Sequence, residues 1–286
     1  MALALYRKYR PQKFSDVSGQ NHFKTTLQNE IEMDRVSHSY IFSGPRGTGK
    51  TSVARIFSRA INCGNRKKEK SEPCGKCDSC VETSEGRSLD VIEIDAASHT
   101  GVDNVRDNII QNSRFSPTRY QYKIFIIDEV HMLSISAFNA LLKTLEEPPA
   151  HAIFILATTE IHKVPTTILS RCQRFDFRKI SIEEIIRRLQ SIVSQEEKEV
   201  DKEVIELIAR RSEGSVRDSE SLLGQVLSLG DKIITLDEAK LVMPYNDFQL
   251  VIEFITLLHE RRTSEALSFI NKIMNEGVDL DRFIDE

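Results

Sequence analysis

The residues with the clearest chemistry are Gly44-Pro45-Arg46-Gly47-Thr48-Gly49-Lys50-Thr51. The pattern is a glycine, four residues, then Gly-Lys-Thr, set between a short apolar run and a helical segment. Glycines let backbone N–H groups close around phosphate oxygens. The helix that opens there adds partial positive charge. Lys50 is placed to reach the β- and γ-phosphates and Thr51 to ligate Mg²⁺. The eight residues are therefore read as an ATP site.

Asp128-Glu129 closes a second apolar run, Ile124 to Ile127. An aspartate there can hold Mg²⁺ through its water shell, and the neighbouring Glu129 can polarise an attacking water. Thr159 ends the next apolar run, where ligands of a parallel sheet bind. It is either a γ-phosphate sensor or a plain strand-end threonine. Arg171, in Ser170-Arg171-Cys172, lies on no core face and is either a solvated charge or a phosphate ligand. Arg217, in Gly214-Ser215-Val216-Arg217-Asp218, begins a helix. A cation gains nothing from the macrodipole there, which favours a role directed at another group.

Four of the five cysteines share one segment: Cys63, Cys74, Cys77 and Cys80. In a reducing compartment this spacing points to a metal rather than to disulfides. Four thiolates form a closed tetrahedral set for structural Zn²⁺, and an iron–sulfur cluster is the rival. Cys172 has no partner nearby and is read as a small packed residue.

These groups need a scaffold. Apolar runs at 39–43, 90–94, 123–127, 153–156 and 174–177 read as strands. Between them lie helical patterns: Phe23, Leu27 and Ile31; residues 50–62; Val102, Val105 and Ile109; and Ile135 to Leu145, stopped by Pro148-Pro149. Strands alternating with helices predict an α/β fold, a parallel sheet covered on both faces. The polar, cysteine-rich residues 63–87 read as an inserted module. After residue 178 only helical periodicity is read, over 181–198, 201–213, 215–229 and 237–243, with Gly214 and Gly230 as breaks. A further boundary falls near Pro244. The predicted domains are 1–178, 179–243 and 244–286.

Composition sets outer limits. The 286 residues are 40% hydrophobic and 29% charged, ordinary for a soluble protein of two or three domains. No apolar run approaches the ~18 residues of a membrane span, and no signal peptide is read, so a cytoplasmic protein without membrane contact is expected. The net charge of -4 excludes a generally basic nucleic-acid binder and leaves only local basic stripes for that purpose.

In order along the chain stand Tyr6-Arg7-Lys8-Tyr9-Arg10-Pro11, Asp16-Val17-Ser18-Gly19-Gln20, the phosphate loop and the four cysteines. Asp95-Ala96-Ala97-Ser98, Asp128-Glu129-Val130-His131, Leu145-Glu146-Glu147-Pro148-Pro149 and Ser170-Arg171-Cys172 follow. The set resembles the gamma/tau family of bacterial DNA polymerase III, the ATPases of the sliding-clamp loader, over essentially the whole chain. The resemblance implies an AAA+ ATPase domain with an inserted zinc module, a helical lid, and the beginning of a helical collar. It implies a hetero-pentamer with other loader subunits that opens the sliding clamp and places it on primed DNA during replication. Within it, Arg171 would be the finger that reaches a neighbour's ATP, Arg217 the lid arginine on the chain's own nucleotide, and Thr159 the polar sensor. Arg106 and Thr167 match positions that track the DNA backbone. Such a chain belongs to the polymerase III holoenzyme, a DNA-directed DNA polymerase and thus a transferase as a complex, yet carries no polymerase site itself.

Gly101 stands where some relatives carry a DNA-contacting lysine, and Ser219, Glu220 and Gly224 depart from the commoner lid residues. The family runs past residue 286, so only the start of the collar is expected. Two alternatives remain in view. Asp128-Glu129-Val130-His131 also reads as a DExH helicase motif, but no second motor domain follows. A non-hydrolysing scaffold subunit would share the cysteines, but the intact Lys50, Thr51, Asp128 and Glu129 speak against it.

Overall fold

The computed structural model describes residues 3–67, 70–98, 101–229, 233–243 and 247–275. Gly230, the boundary expected near Pro244, and residues 276–286 lie outside them.

The first part of the chain carries α1 (Leu5–Lys8), α2 (Asn21–Glu32), β1 (Ser39–Ser43), α3 (Lys50–Ile61) and α4 (Asp78–Ser84). Next come β2 (Val91–Asp95), α5 (Val102–Val105), a π-helical stretch (Arg106–Gln111), α6 (Asn112–Arg114) and β3 (Lys123–Asp128). Then follow α7 (Ile135–Glu146), β4 (Ala152–Thr158), α8 (Thr166–Leu169), β5 (Gln173–Asp176) and α9 (Ile182–Gln195). The remainder holds β6 (Glu199–Val200), α10 (Lys202–Arg211), α11 (Val216–Leu227), β7 (Ile233–Ile234), α12 (Leu236–Val242), α13 (Asp247–His259) and α14 (Thr263–Asn275). No helix among the described residues is long and apolar enough to cross a membrane.

All pairings in the five-stranded sheet are parallel, in the order β2-β3-β4-β1-β5. β1 and β4 are buried along their whole length and β3 along nearly all of it, whereas the edge strands β2 and β5 are largely half-buried or exposed. This is why the central strands read as unbroken apolar runs. The period of two still sorts their side chains. Tyr40, Phe42, Ile124, Ile126, Ile153 and Ile155 join Phe23, Leu27, Val53 and Phe57 on one face. Ile41, Phe125, Ile127, Phe154 and Leu156 join Ile109, Phe138, Leu141 and Leu145 on the other.

Local sequence fixes the helix starts. Ser134 accepts a hydrogen bond from the Ala137 N–H (3.2 Å) ahead of α7, and Ser181 one from the Glu184 N–H (3.3 Å) ahead of α9. The departures Ser219, Glu220 and Gly224 are accommodated on α11. Buried Glu220 pairs with Arg188 of α9 (2.9 Å), which also donates to the Tyr9 carbonyl. The buried Ser219 hydroxyl donates to the Val216 carbonyl (2.8 Å). At Gly224 a side chain would meet Leu5 at 3.6 Å, an ordinary contact.

The chain divides into two compact units: residues 1–198 with 205–224, and residues 199–204 with 225–286. The first holds the large sheet and every candidate site residue. The second contains β6 paired in parallel with β7, and the pair α13 and α14, where Phe254 stacks on Phe269. The β6–β7 pair corrects the expectation of an all-α region after residue 178. Strands of two residues are too short to show alternation, so no period in the sequence announces them.

Candidate nucleotide and metal sites

The loop 44–49 leaves the C-terminal end of β1, which lies between β4 and β5, and α3 begins at Lys50. That crevice at the strand ends is where a doubly wound sheet takes its ligand. Gly47 has φ +74°, and a Cβ there would collide with the Ser215 hydroxyl. The Val216 N–H donates to the Gly47 carbonyl (3.1 Å). Gly47 thus serves two purposes, the turn of the loop and the close approach of the start of α11.

Lys50 is buried. Its ammonium donates to the carbonyls of Gly44 (2.8 Å) and Pro45 (2.9 Å), so it lies folded back along the loop. Burial pulls its pKa down, while the charges of Glu129 and Asp128 pull it back up. Thr48 donates to the Pro45 carbonyl (2.8 Å), and Arg46 is exposed. The Thr51 hydroxyl donates to Asp128 Oδ2 (2.7 Å), and the Glu129 N–H to Asp128 Oδ1 (3.0 Å). Burial raises the Asp128 carboxyl above its ordinary range against these two bonds.

Glu129 adopts φ +47°, left-handed for a residue with a side chain. Such strain costs about 1–3 kcal/mol and collects at functional positions. Its carboxylate Oε2 accepts from the Thr159 hydroxyl (3.0 Å) and N–H (3.3 Å). Thr51 at the end of the loop, the acidic strand end and Thr159 are therefore one hydrogen-bonded cluster. Its parts come from β1, β3 and β4, strands far apart in sequence and adjacent in the sheet.

Arg217 lies in the first turn of α11, its guanidinium 5.0 Å from the centre of the Tyr6 ring. Arg10 stands near it: burial lowers the Arg10 pKa, and the charges of Arg55, Glu93, Arg217 and Asp128 all act on it. Arg55 forms a two-pronged pair with Glu93 (2.6 Å each). Sequence reasoning gave Arg10 no role; only its place in the Tyr6–Pro11 motif signalled it.

Arg171 is not brought to this cluster. It precedes β5 and sits beside the start of β1, where the Ser39 hydroxyl donates to its carbonyl. β1 lies between it and the loop, and five residues of strand span about 17 Å. Its guanidinium instead donates to the Thr167 carbonyl (2.5 Å) and pairs with Glu146. Arg106 opens the π-helical stretch and, with Arg114 and Lys143, lines a surface groove of about 580 Å³. Thr167 is exposed on α8.

The sulfurs of Cys63, Cys74, Cys77 and Cys80 all lie within 4.8 Å of one another. Cys63 to Cys77 and Cys74 to Cys80 measure 3.9 Å each. Ligands ~2.3 Å from a tetrahedral ion are ~3.8 Å apart, so the set fits one ion without rearrangement. The N–H groups of Lys76 and Cys77 point at Cys74 Sγ (3.4 and 3.3 Å). Burial opposes ionisation of Cys74, but these N–H groups outweigh it and bring the thiol down to about 6. Arg59 of α3 is buried near Cys80 and Cys63; burial lowers its pKa, the charges of these cysteines oppose that, and its Nε has no partner among the described residues. Cys172 is partly buried in the core, its thiol pushed up by burial to about 11. That agrees with a packed residue.

A family model described as DNA polymerase III, delta subunit, matches residues 19–181. Another, described as DNA polymerase III clamp loader subunit, ATPase lid domain, matches residues 184–232. The DNA polymerase III subunit gamma of Buchnera aphidicola subsp. Baizongia pistaciae is 41% identical over 93% of this chain and 71% of its own length. The chain belongs to the gamma/tau family of DNA polymerase III clamp-loader subunits. The Bacillus subtilis subunit tau is 48% identical over 99% of this chain and 50% of its own length. The Escherichia coli subunit tau is 41% identical over 99% of this chain and 43% of its own length. The chain thus spans about half the length of these tau relatives. Among solved structures, the Thermotoga maritima RuvB Holliday junction branch migration motor superposes with TM-score 0.60 at 17% identity, covering 88% of this chain and 80% of that one. This likeness speaks for the fold alone: a parallel sheet covered by helices and followed by a helical region.

Proposed function

We propose that this gamma/tau family member is an ATP-hydrolysing motor of the polymerase III clamp loader, which opens the sliding clamp and places it on primed DNA. The observation that carries the proposal is the closed cluster of Lys50, Thr51, Asp128, Glu129 and Thr159 around the mouth of the phosphate loop. The loop N–H groups and Lys50 would hold the phosphates once the ammonium swings off the Gly44 and Pro45 carbonyls. Mg²⁺, held by Thr51 and through water by Asp128, would neutralise charge on the phosphate oxygens. Glu129 would orient the attacking water after leaving Thr159. Arg217 would reach the chain's own nucleotide, trading the face of Tyr6 for phosphate. Arg171 faces away from its own loop, which supports its use on a neighbouring subunit's ATP within a hetero-pentamer.

Zn²⁺ on the four cysteines would be structural, since four thiolates leave no position for water. A multi-iron cluster would set its own sulfides between the thiolates, and the 3.9 Å separations support a single ion. Arg106 and Thr167, both exposed, would meet DNA phosphates without reading sequence, in a salt-dependent way. On this reading 1–178 is the ATPase domain, 179–243 the lid and 244–286 the beginning of the collar, in a cytoplasmic replication complex.

The test is ATP turnover by the subunit alone and with the other loader subunits, clamp and primed DNA. Stimulation in the assembly is expected. No turnover in the assembly, with ATP bound, would make the chain a scaffold instead. Lys50→Ala is expected to abolish ATP binding by calorimetry, and tight residual binding would remove Lys50 from the site. Metal analysis of the purified protein is expected to give one zinc per chain and no visible iron absorbance.

A further inference from the structure

Behind Glu129 sits a buried histidine that the hydrolysis scheme leaves unused. The His131 side chain is 7% exposed. Its Nδ1 lies 3.1 Å from the Thr158 hydroxyl and 3.4 Å from Glu129 Oε2; its Nε2 lies 3.3 Å from Glu160 Oε1. Glu160 in turn pairs with Lys163 (2.8 Å) and approaches His162 (3.5 Å). These are the charged groups around the ring.

With a neutral ring, the donors and acceptors around it are satisfied by one arrangement. The Glu160 N–H donates to the Thr158 hydroxyl oxygen (3.0 Å), so the hydroxyl proton is free for His131 Nδ1. Nε2 then carries the ring proton and donates it to the Glu160 carboxylate, which can only accept. In that arrangement the imidazole is held between Thr158 and Glu160, with Nδ1 accepting beside Glu129. Glu129 Oε2 takes its bonds from Thr159 instead.

We propose that His131 is a positioning residue for ATP hydrolysis: anchored by Thr158 and Glu160, it backs the Glu129 carboxylate and limits it to two directions, onto Thr159 or forward to water. The proposal rests on Glu129 being the water activator. It adds a link from that carboxylate to the Ile161–Lys163 turn through Glu160. Without the ring, Glu129 gains room to turn backward, and the fraction of time it faces water falls. Nucleotide binding, which uses the loop and Lys50, is untouched.

The experiment compares His131→Ala, His131→Gln and Glu160→Ala in the full-length subunit assembled with its loader partners, clamp and primed DNA. Steady-state ATPase, ATP affinity by calorimetry and Tm are measured. His131→Ala is expected to lower kcat about tenfold or more with KM and ATP affinity within twofold, the signature of a lost transition-state arrangement. His131→Gln, whose amide can accept from Thr158 and donate to Glu160, is expected to recover most of kcat. Glu160→Ala is expected to fall between them. Unchanged kcat in His131→Ala overturns the proposal. So does a loss of kcat that follows a loss of Tm or ATP affinity across the set, because His131 would then only be filling space. Glu129→Gln is the control. If it turns over normally, the assignment of Glu129 has failed; if it is inactive while His131→Ala is normal, only the role of His131 has failed.

Discussion

At the C-terminal ends of β1, β3 and β4, the polar side chains that would handle ATP are buried or half-buried and bonded to one another or, for Lys50, to the loop carbonyls. At the N-terminal ends of β1 and β5, Arg171 stands near the surface with one carboxylate partner, Glu146. The first arrangement is a site; the second is half of one. A sheet of parallel strands makes the two ends unequal, because helix N-termini, glycine turns and strand-end acids collect at one end only. A residue at the other end, separated by a buried strand, can serve only something that comes to it. On the function proposed above, that something is a neighbouring subunit whose own loop would meet Arg171.

The strongest way to break this contrast is to mix variants. Arg171→Ala is expected to leave ATP affinity of the chain intact and to lower turnover in the assembly by roughly 10³–10⁵ at the sites it faces. Assemblies carrying Arg171→Ala in one subunit and normal residues in its neighbour should lose activity at the neighbour's site. If the isolated chain loses ATP affinity with Arg171→Ala, the separation of the two ends is wrong. Glu129→Gln should do the reverse: about 10²–10⁴ lost at its own site, with ATP bound. Rapid single-turnover measurements on mixed assemblies separate the two.

The cluster end was legible from the chemistry of its own residues, whereas Arg171 was left between a solvated charge and a phosphate ligand until the family motif gave it an expected role. Gly44 to Thr51 and Asp128-Glu129 announce themselves because backbone geometry and metal chemistry restrict which residues can stand there. The three central strands were legible because burial on both faces leaves mainly apolar residues in the middle of β1, β3 and β4. The period of 3.6 likewise located α7, α9 and α11 to within a few residues. By contrast, Arg171 looks like any surface arginine until the strand register shows where it sits. Ser215 against Gly47, and Arg10 beside Arg217, are meetings of segments over 160 residues apart, which no local pattern encodes. The β6–β7 pair escaped because two residues carry no period. The π-helical stretch at Arg106 was equally silent, since Val102, Val105 and Ile109 fit an ordinary helix as well.

The contrast between ends recurs in two arginine–glutamate pairs of different depth. Arg171–Glu146 has side chains 32% and 46% exposed; Arg188–Glu220 has 14% and 4%. An exposed pair is worth about 0–1 kcal/mol, so on the proposed reading Glu146 would hold Arg171 loosely enough to release it. Glu146→Ala is expected to shift Tm by no more than a degree or two. Removing one partner of a buried pair costs about 3–5 kcal/mol, so Glu220→Ala should lower Tm far more. Equal shifts would show that depth does not distinguish the two pairs.

The buried pair also has a pH signature. Burial raises the Glu220 carboxyl above its ordinary range, while Arg188 pulls it back. Because the folded value is the higher one, folding takes up a proton there. Its contribution to stability is full below about 4.3 and is lost as pH rises through the folded value. Glu220→Gln keeps an acceptor for Arg188 but cannot titrate. The parent should therefore lose ground to Glu220→Gln in Tm as pH climbs from about 4 toward neutrality. A parent that gains ground over that range would mean that Arg188 outweighs burial, and that this pair, unlike the finger's, stabilises the lid through its charge.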